Sequence, residues 1–198
     1  MVRRLHGHSP GFTILELLFA VAIAGTLAAI AVPQGLRTLD DFRAQSAARY
    51  LAQRLGDARL SAIKRSAALG LRFEPSLPDY RITTVVDGNR NGLRTADIVS
   101  GIDRTLTEPE TLASHFPGVT FGIVQGVPDA DGQAVAGTDG VRVGFARLLT
   151  MNANGSSSSG TVYVRGRDRA QYAVRVLGAT GRVRILKYDF VRQRWIDL

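Results

Sequence analysis

Basic side chains crowd the last third of this chain, and their spacing suits the binding of phosphate groups. The run Gly181-Arg182-Val183-Arg184 is typical of a turn that enters a strand. Alternation along that strand puts Arg182 and Arg184 on one face. It directs Val183 and Ile185 to the core. Arginines on one exposed face bind phosphates with salt-dependent affinity and without sequence specificity.

The same third of the chain holds further basic residues, namely Arg165, Arg167, Arg169, Arg175, Lys187, Arg192 and Arg194. From this cluster we take Arg182, Arg184 and Lys187 as candidate DNA-binding residues. The alternative is a solvated strand face whose arginines pair with nearby acids, namely Asp168, Asp189 and Asp197.

A second candidate site is the run Asp87-Gly88-Asn89-Arg90-Asn91-Gly92. Asp87, Asn89 and Asn91 place oxygen ligands at alternate positions, as in the first half of a calcium loop. The twelfth position of such a loop needs an acid, but Ile98 stands there and Asp97 comes one residue early. The run therefore predicts a polar turn of a hairpin, with calcium as the alternative.

No pattern in the sequence indicates an enzyme. His6, His8 and His115 lack the spacing of metal ligands, and Ser156 to Ser159 have no histidine or acid at a diagnostic spacing. The chain has no cysteine, which excludes disulfides and thiolate metal sites. We expect neither catalysis nor a required cofactor.

The element that must position all of these residues begins with an apolar segment. Phe12 to Val32 comprises 21 residues, which as a helix reach about 30 Å, the thickness of one hydrocarbon core. Arg3 and Arg4 precede the segment, so the first ten residues should stay cytoplasmic. Glu16 is unusual, because a carboxylate in a membrane segment costs about 2.5–3.5 kcal/mol and usually has a task.

Three interpretations of this segment are open. Ala29-Ile30-Ala31 offers a small-x-small cleavage site, as in a secretory signal peptide. A single-span anchor would let Glu16 reach the headgroups. In the third, Gly11-Phe12-Thr13-Ile14-Leu15-Glu16-Leu17-Leu18 resembles the class III signal of type IV pilins and type II secretion pseudopilins.

The resemblance implies a set of residue roles. In that family a prepilin peptidase cuts after the glycine and methylates the next residue, which here are Gly11 and Phe12. The family's glutamate at mature position five falls on Glu16, and its proline at position 22 falls on Pro33. Cleavage would create an amine near Glu16, and a carboxylate of a neighbouring subunit would neutralise it. Glu16 and Pro33 are then assembly residues.

The predicted organisation follows from the spacing of apolar residues, which changes along the chain from a helical period to a period of two. We expect a leader over 1–11, a transmembrane and assembly half-helix over 12–33, and an amphipathic half-helix over 34–69 that stops at Gly70. Its apolar stripe comprises Leu36, Leu39, Phe42, Ala47, Leu51, Leu55, Ala58 and Ala62. A β-rich periplasmic domain should occupy 70–198. The fold class is thus α+β, a pilin-like ladle with the helix packed on an antiparallel sheet.

Within 70–198 a period of two predicts several strands, namely Leu71–Phe73, Tyr80–Val86, Val119–Val124, Val141–Phe145, Thr161–Arg165, Tyr172–Val176 and Val183–Tyr188. Two stretches are predicted as loops by composition, 127–140 and 152–160. The net charge of +8 favours acidic partners such as nucleic acid, lipid headgroups or acidic proteins.

The C-terminal half resembles the GspH/FimT branch of the pilin-like family in Phe145, Asn154-Gly155, Gly160-Thr161-Val162-Tyr163-Val164 and Thr180-Gly181-Arg182-Val183-Arg184. The resemblance implies a minor subunit of a secretion pseudopilus or a type IV pilus, with a role in filament initiation or at the tip. Its alternative is a FimT-like minor pilin that binds DNA for uptake through Gly-Arg-x-Arg. Implied partners are other pilins, the prepilin peptidase, the bacterial inner membrane, and secreted cargo or DNA.

Overall fold

The computed structural model describes residues 11–198 as an α+β chain with one long helix and two antiparallel sheets. Most of the predicted leader, including Arg3 and Arg4, lies outside the described residues. The described chain divides into two compact units, one that ends at Thr38 and one from Leu39 to Leu198.

The first unit is the N-terminal part of helix α1, which spans Ile14–Arg65 and begins in the predicted apolar segment. Every residue from Gly11 to Leu39 is exposed. Length and composition make this helix able to cross a membrane, and no other described helix qualifies. Pro33 lies inside the helix, where it has no N–H to donate to the carbonyl four residues earlier.

In the second unit the helix buries a face made mainly of alanine and leucine. The predicted stripe is confirmed from Ala47 onward, but Leu36, Leu39 and Phe42 are exposed, so that part of the prediction was wrong. The buried face comprises Asp40, Ala44, Ala47, Ala48, Leu51, Leu55, Ala58 and Ala62. Small alanines let the backbone of the helix approach the strands closely.

Helix α1 ends at Arg65, earlier than predicted, because Ser66 adopts a left-handed conformation with φ of 51°. Gly70 is therefore not the helix stop. It lies in strand β1, where an added Cβ would come within 2.7 Å of the Leu149 carbonyl oxygen. This close approach of two strands explains the need for glycine at position 70.

The first sheet has the order β3-β2-β1-β7, with β4 also paired to β2. Its strands are β1 Leu69–Ser76, β2 Asp79–Val86, β3 Arg104–Thr105, β4 Glu110–Thr111 and β7 Leu148–Met151. Strand β2 was predicted nearly at these bounds, whereas the prediction Leu71–Phe73 covers only the middle of β1. The other three were missed, since segments of two to four residues show no clear alternation.

The second sheet has the order β11-β10-β9-β8-β5, with β6 also paired to β8. Its strands are β5 Thr120–Phe121, β6 Val141–Arg142, β8 Gly160–Arg165, β9 Gln171–Leu177, β10 Arg182–Asp189 and β11 Arg194–Asp197. The three longest match the prediction, whereas β5 and β6 are much shorter than predicted. Between the sheets' strands lie two short helices, α2 Thr95–Val99 and α3 Leu112–His115.

Two apolar clusters cover the two faces of the second sheet. The larger one joins helix α1 to strands of both sheets and includes Leu51, Leu71 and Val174. The smaller one lies on the other face and includes Tyr163 and Leu186, with Trp195 packed against it. Because neighbouring residues of a strand point to opposite faces, β8, β9 and β10 each supply both clusters.

Candidate functional site

Glu16 forms a reciprocal capping box with Thr13 at the start of helix α1. The Thr13 Oγ1 accepts a hydrogen bond from the Glu16 N–H at 3.2 Å, and Glu16 Oε2 accepts one from the Thr13 N–H at 3.5 Å. This pattern satisfies two backbone donors that a helix start leaves unpaired. Glu16 thus has a local structural role, which the spacing Thr-x-x-Glu could have indicated.

Gly11 and Phe12 precede the helix and are exposed, with Phe12 at 84%. The apolar residues after them are exposed as well, including Ile14, Phe19, Val21 and Ile30. Exposed apolar surface of this extent is typical of segments that contact a membrane or an apolar protein partner. The described N-terminal segment therefore has no partner within its own chain for most of its side chains.

Arg182 and Arg184 begin strand β10 and are exposed on one face, as predicted. Val183 and Ile185 are half-buried and pack against the larger cluster. Arg184 donates through Nε to Asp197 Oδ2 at 3.0 Å, and its Nη2 also contacts that oxygen. The hydrogen bond from Arg184 lowers the pKa of Asp197.

The turn before β10 explains the glycine of the Gly-Arg-x-Arg run. Gly181 has φ of +61°, and a Cβ there would lie 2.5 Å from the Gly155 carbonyl oxygen and 2.8 Å from Arg59 Nε. That oxygen accepts a hydrogen bond from Arg59 Nε at 2.9 Å. The turn therefore packs closely against Gly155 and Arg59, and a side chain at position 181 would displace them.

Lys187 does not share the face of Arg182 and Arg184, so the three candidate residues do not form one surface. It lies on the helix side of β10, where Nζ donates to Asp41 Oδ2 at 2.8 Å and lies 5.6 Å from the centroid of the Tyr172 ring. Strict alternation already predicts this, because an odd-numbered residue faces away from 182 and 184.

Asp41 also accepts a hydrogen bond from the Tyr172 hydroxyl at 2.9 Å. Burial of Tyr172, and then this hydrogen bond, raises the pKa of the phenol, so that it remains a donor. Asp41, Tyr172 and Lys187 together fasten helix α1 to β9 and β10. Lys187 is a structural residue in this arrangement.

Strand register brings other arginines beside Arg184 that the sequence did not single out together. Arg175 lies opposite Arg184, Thr161 lies opposite Arg175, and Arg142 lies opposite Thr161. These four residues form one line across β6, β8, β9 and β10, which we call the arginine line. Asp131 pairs with Arg175 at 2.7 Å.

A polar cleft of about 310 Å³ lies along this line and is lined by Arg142, Thr161, Tyr163 and Arg175. Like charges on neighbouring strands repel one another, so the arginine line is most stable with anions beside it. Asp131 and Asp197 supply two such anions from the chain itself. The predicted pairing with Asp197 is confirmed, and Asp189 lies 3.7 Å from Arg192.

The candidate calcium residues form a wide loop instead of a tight hairpin turn. Asp87 accepts hydrogen bonds from the backbone N–H groups of Asn89, Arg90 and Gly92. The Asn89 and Asn91 side-chain amides both donate to Asp97 Oδ2. The carboxylates of Asp87 and Asp97 thus accept hydrogen bonds from N–H donors. In a calcium loop, the side-chain oxygens would instead point inward to the ion.

Asp103 closes this loop from its far end. It accepts hydrogen bonds from the N–H groups of Gly88 and Arg94, so strands β2 and β3 are joined by 17 residues, 87–103. Across residues 11–198, no group of three His, Asp or Glu side chains has an arrangement that could hold a metal ion.

His115, the described histidine of the three considered above, contacts Glu110 at 3.0 Å. Glu110 also accepts from the Tyr50 hydroxyl and pairs with Arg54, which ties α3 and β4 to helix α1. The contacts of His115 are therefore structural.

No family model, curated protein or solved structure was found to match this chain.

Proposed function

We propose that this chain is a minor subunit of a pilin-type filament, a type II secretion pseudopilus or a type IV pilus, of the GspH/FimT kind. The observation that carries the proposal is the wholly exposed apolar start of helix α1, whose one acid is Glu16. The class III signal around Gly11 and Phe12 supports processing by a prepilin peptidase. The segment would anchor the subunit in the inner membrane before assembly and join it to other pilins afterwards.

Glu16 has two separable duties under this proposal. Its capping hydrogen bond to Thr13 requires only an acceptor oxygen, which glutamine retains. Its assembly duty requires a negative charge, because it neutralises the amine that cleavage creates at Phe12. In the apolar helix bundle of a filament, the carboxylate and the amine of such a pair would come from neighbouring subunits.

The test compares two substitutions. Glu16→Gln keeps an acceptor but removes the charge, whereas Thr13→Val removes the capping hydroxyl and keeps the charge. We expect Glu16→Gln to be processed and inserted but to lose most filament incorporation, and Thr13→Val to be incorporated. Sheared-filament immunoblots and mass spectrometry of the mature N-terminus measure this. Normal incorporation of Glu16→Gln, or a chain that begins at Val32, would refute the proposal.

A second candidate function is DNA binding, favoured by the arginine line and by the exposed Arg182 beside it. Single-stranded or duplex DNA presents phosphates to such a surface without need for base contacts. Lys187 takes no part in this version, since Asp41 holds it on the other face.

Mobility shifts with the full-length chain in detergent test this candidate. We expect Arg182→Ala with Arg184→Ala to weaken DNA binding at least tenfold and to reduce the salt slope by about two, one unit for each lost phosphate contact. Arg192→Ala with Arg194→Ala removes the same charge from the other end of β10 and should have a smaller effect. Equal affinities for both double variants would remove the DNA candidate.

A further inference from the structure

Exposed arginines are concentrated at one end of the second unit. This is the end that contains Leu39, where the chain enters the unit. Asp40 accepts hydrogen bonds from the N–H groups of Arg167 and Asp168 at 2.9 and 3.0 Å, so the turn between β8 and β9 lies beside the start of this unit. The guanidinium of Arg169 in that turn lies 5.8 Å from the centroid of the Phe190 ring. The turn between β10 and β11 therefore lies at the same end.

We call this surface the proximal rim and define it as Arg167, Arg169, Val191, Arg192 and Arg194. All five side chains are exposed, and Val191 at 93% stands out between the arginines. The combination of an apolar tip with flanking cations is the composition that membrane interfaces attract.

Two acids lie among the four rim arginines. Asp168 is exposed between Arg167 and Arg169, and Asp189 lies 3.7 Å from Arg192. Asp189 accepts hydrogen bonds from the N–H groups of Val191 and Arg192 at 2.8 and 3.0 Å. Those backbone bonds lower the pKa of Asp189. Asp40 is held by the two backbone donors named above, and Asp41 pairs with Lys187 at 2.8 Å. The rim's positive charge is therefore only partly offset by acids of the chain.

Two further apolar features lie near the rim. A groove of about 440 Å³ beside Arg169 is lined in part by Val127, Tyr188 and Phe190. Leu77, 99% exposed, lies two residues before Asp79. Asp79 Oδ1 accepts a hydrogen bond from the N–H of Phe121, and Phe121 pairs with Val164 near the end of β8 that leads into the rim. These contacts place Leu77 near the rim.

A short stretch of chain joins the apolar segment to the start of the second unit. Val32 and Leu39 are seven residues apart, so even a fully extended chain keeps them within about 25 Å. If residues 12–33 lie in a bilayer, this short connection tethers the second unit to it. Any charge on that unit then meets the headgroups at a high effective concentration.

We propose that the proximal rim binds the headgroups of anionic phospholipids, and so docks the second unit on the membrane that anchors the chain. This inference rests on the membrane insertion in the proposed function and adds a second contact to it. Arginine–phosphate pairing supplies the attraction, and Val191 enters the interfacial layer. Nucleic acid is less suited to this surface, because it offers nothing to an exposed valine tip.

The chain contains no cysteine, so a single introduced thiol can report the contact. Full-length Val191→Cys carries an environment-sensitive fluorophore at the rim. Ala179→Cys is the matched control, since it is exposed on the turn between β9 and β10 at the opposite end of those strands. Each labelled protein is reconstituted into phosphatidylcholine vesicles with or without phosphatidylglycerol.

We expect the label at position 191 to shift to the blue only with phosphatidylglycerol, and to return at high salt. The label at position 179 should not respond. Arg192→Gln with Arg194→Gln should make the docking equilibrium roughly 25-fold less favourable, about fivefold for each arginine. Arg167→Gln with Arg169→Gln should act similarly. The control Arg182→Gln with Arg184→Gln should leave docking unchanged.

The outcomes separate this inference from the proposed function. Failure to float with phosphatidylcholine vesicles at high salt would refute the anchor itself. Flotation with no lipid-dependent shift at position 191, or an equal shift at 179, would refute the rim contact alone. If duplex DNA shifts the label at position 191 more than phosphatidylglycerol does, the rim is a nucleic-acid surface and the lipid inference is wrong.

Discussion

At the scale of single residues, the glycine of the Gly-Arg-x-Arg turn has a packing role that precedes any ligand. Gly181 combines a left-handed backbone with a carbonyl oxygen only 2.5 Å from where a Cβ would stand. Its neighbours Gly155 and Arg59 come from distant parts of the chain. The turn that presents Arg182 thus packs against a side chain of helix α1.

Gly181→Ala should therefore destabilise the chain by about 2–4 kcal/mol, from left-handed strain and a forced shift of Gly155. Gly132→Ala is the matched control, because Gly132 also has positive φ, at 82°, but nothing lies within 4 Å of its Cβ position. The control should cost only about 1–2 kcal/mol. Urea unfolding in detergent measures both, and equal costs would show that Gly155 gives way freely.

At the scale of elements, helix α1 is fastened to the second sheet by acids in one turn of the helix. Asp40 accepts two backbone N–H groups of the β8–β9 turn. A Cβ on Gly166 in that turn would lie 2.4 Å from Asp40 Oδ2, so the turn approaches the helix closely. Asp41 holds Tyr172 and Lys187 from the next two strands.

The destabilisation caused by substitutions at Asp41, Tyr172 and Lys187 should depend on which polar groups each one leaves buried without a partner. Asp41→Ala should cost about 2–3 kcal/mol, because it leaves the hydroxyl of the fully buried Tyr172 without its hydrogen-bond acceptor. It also removes the partner of Lys187. Tyr172→Phe removes one hydrogen bond and should cost about 1 kcal/mol. Lys187→Met breaks a partly exposed pair and should cost less than about 1 kcal/mol.

Unfolding midpoints of the three variants measure the ranking. Should Lys187→Met prove as costly as Asp41→Ala, the ion pair would outweigh the buried hydroxyl. If the DNA affinity of Lys187→Met also fell as far as that of Arg182→Ala with Arg184→Ala, our assignment of Lys187 to the helix side would be wrong.

At the scale of the whole molecule, charge and apolar surface are distributed unevenly. The first unit exposes its apolar side chains, whereas the second buries two apolar clusters and exposes single residues such as Leu77 and Val191. The second unit carries arginines at two ends of β10, with Arg182 and Arg184 at its start and the proximal rim past its end. The two double substitutions proposed above therefore remove equal charge from separate surfaces, which is why each serves as the control for the other.

The sequence by itself determined the features that depend on local composition and period. The membrane-length apolar segment, the helix face from Ala47 to Ala62, the three long strands of the second sheet and the exposure of Arg182 and Arg184 were all predictable. Each follows from a repeat of two or of three to four residues within one element. The capping box of Thr13 with Glu16 and the face of Lys187 were also readable from spacing, although they were missed.

Only the tertiary structure decided which residues meet across the chain. Arg142, Arg175 and Arg184 form one line because of strand register, and Asp41 meets Lys187 although 146 residues separate them. The short strands β3 to β6 depend on such pairing too. Nonlocal contacts of this kind leave no periodic trace in a single sequence, since their partners are chosen by packing and hydrogen bonding in the folded state.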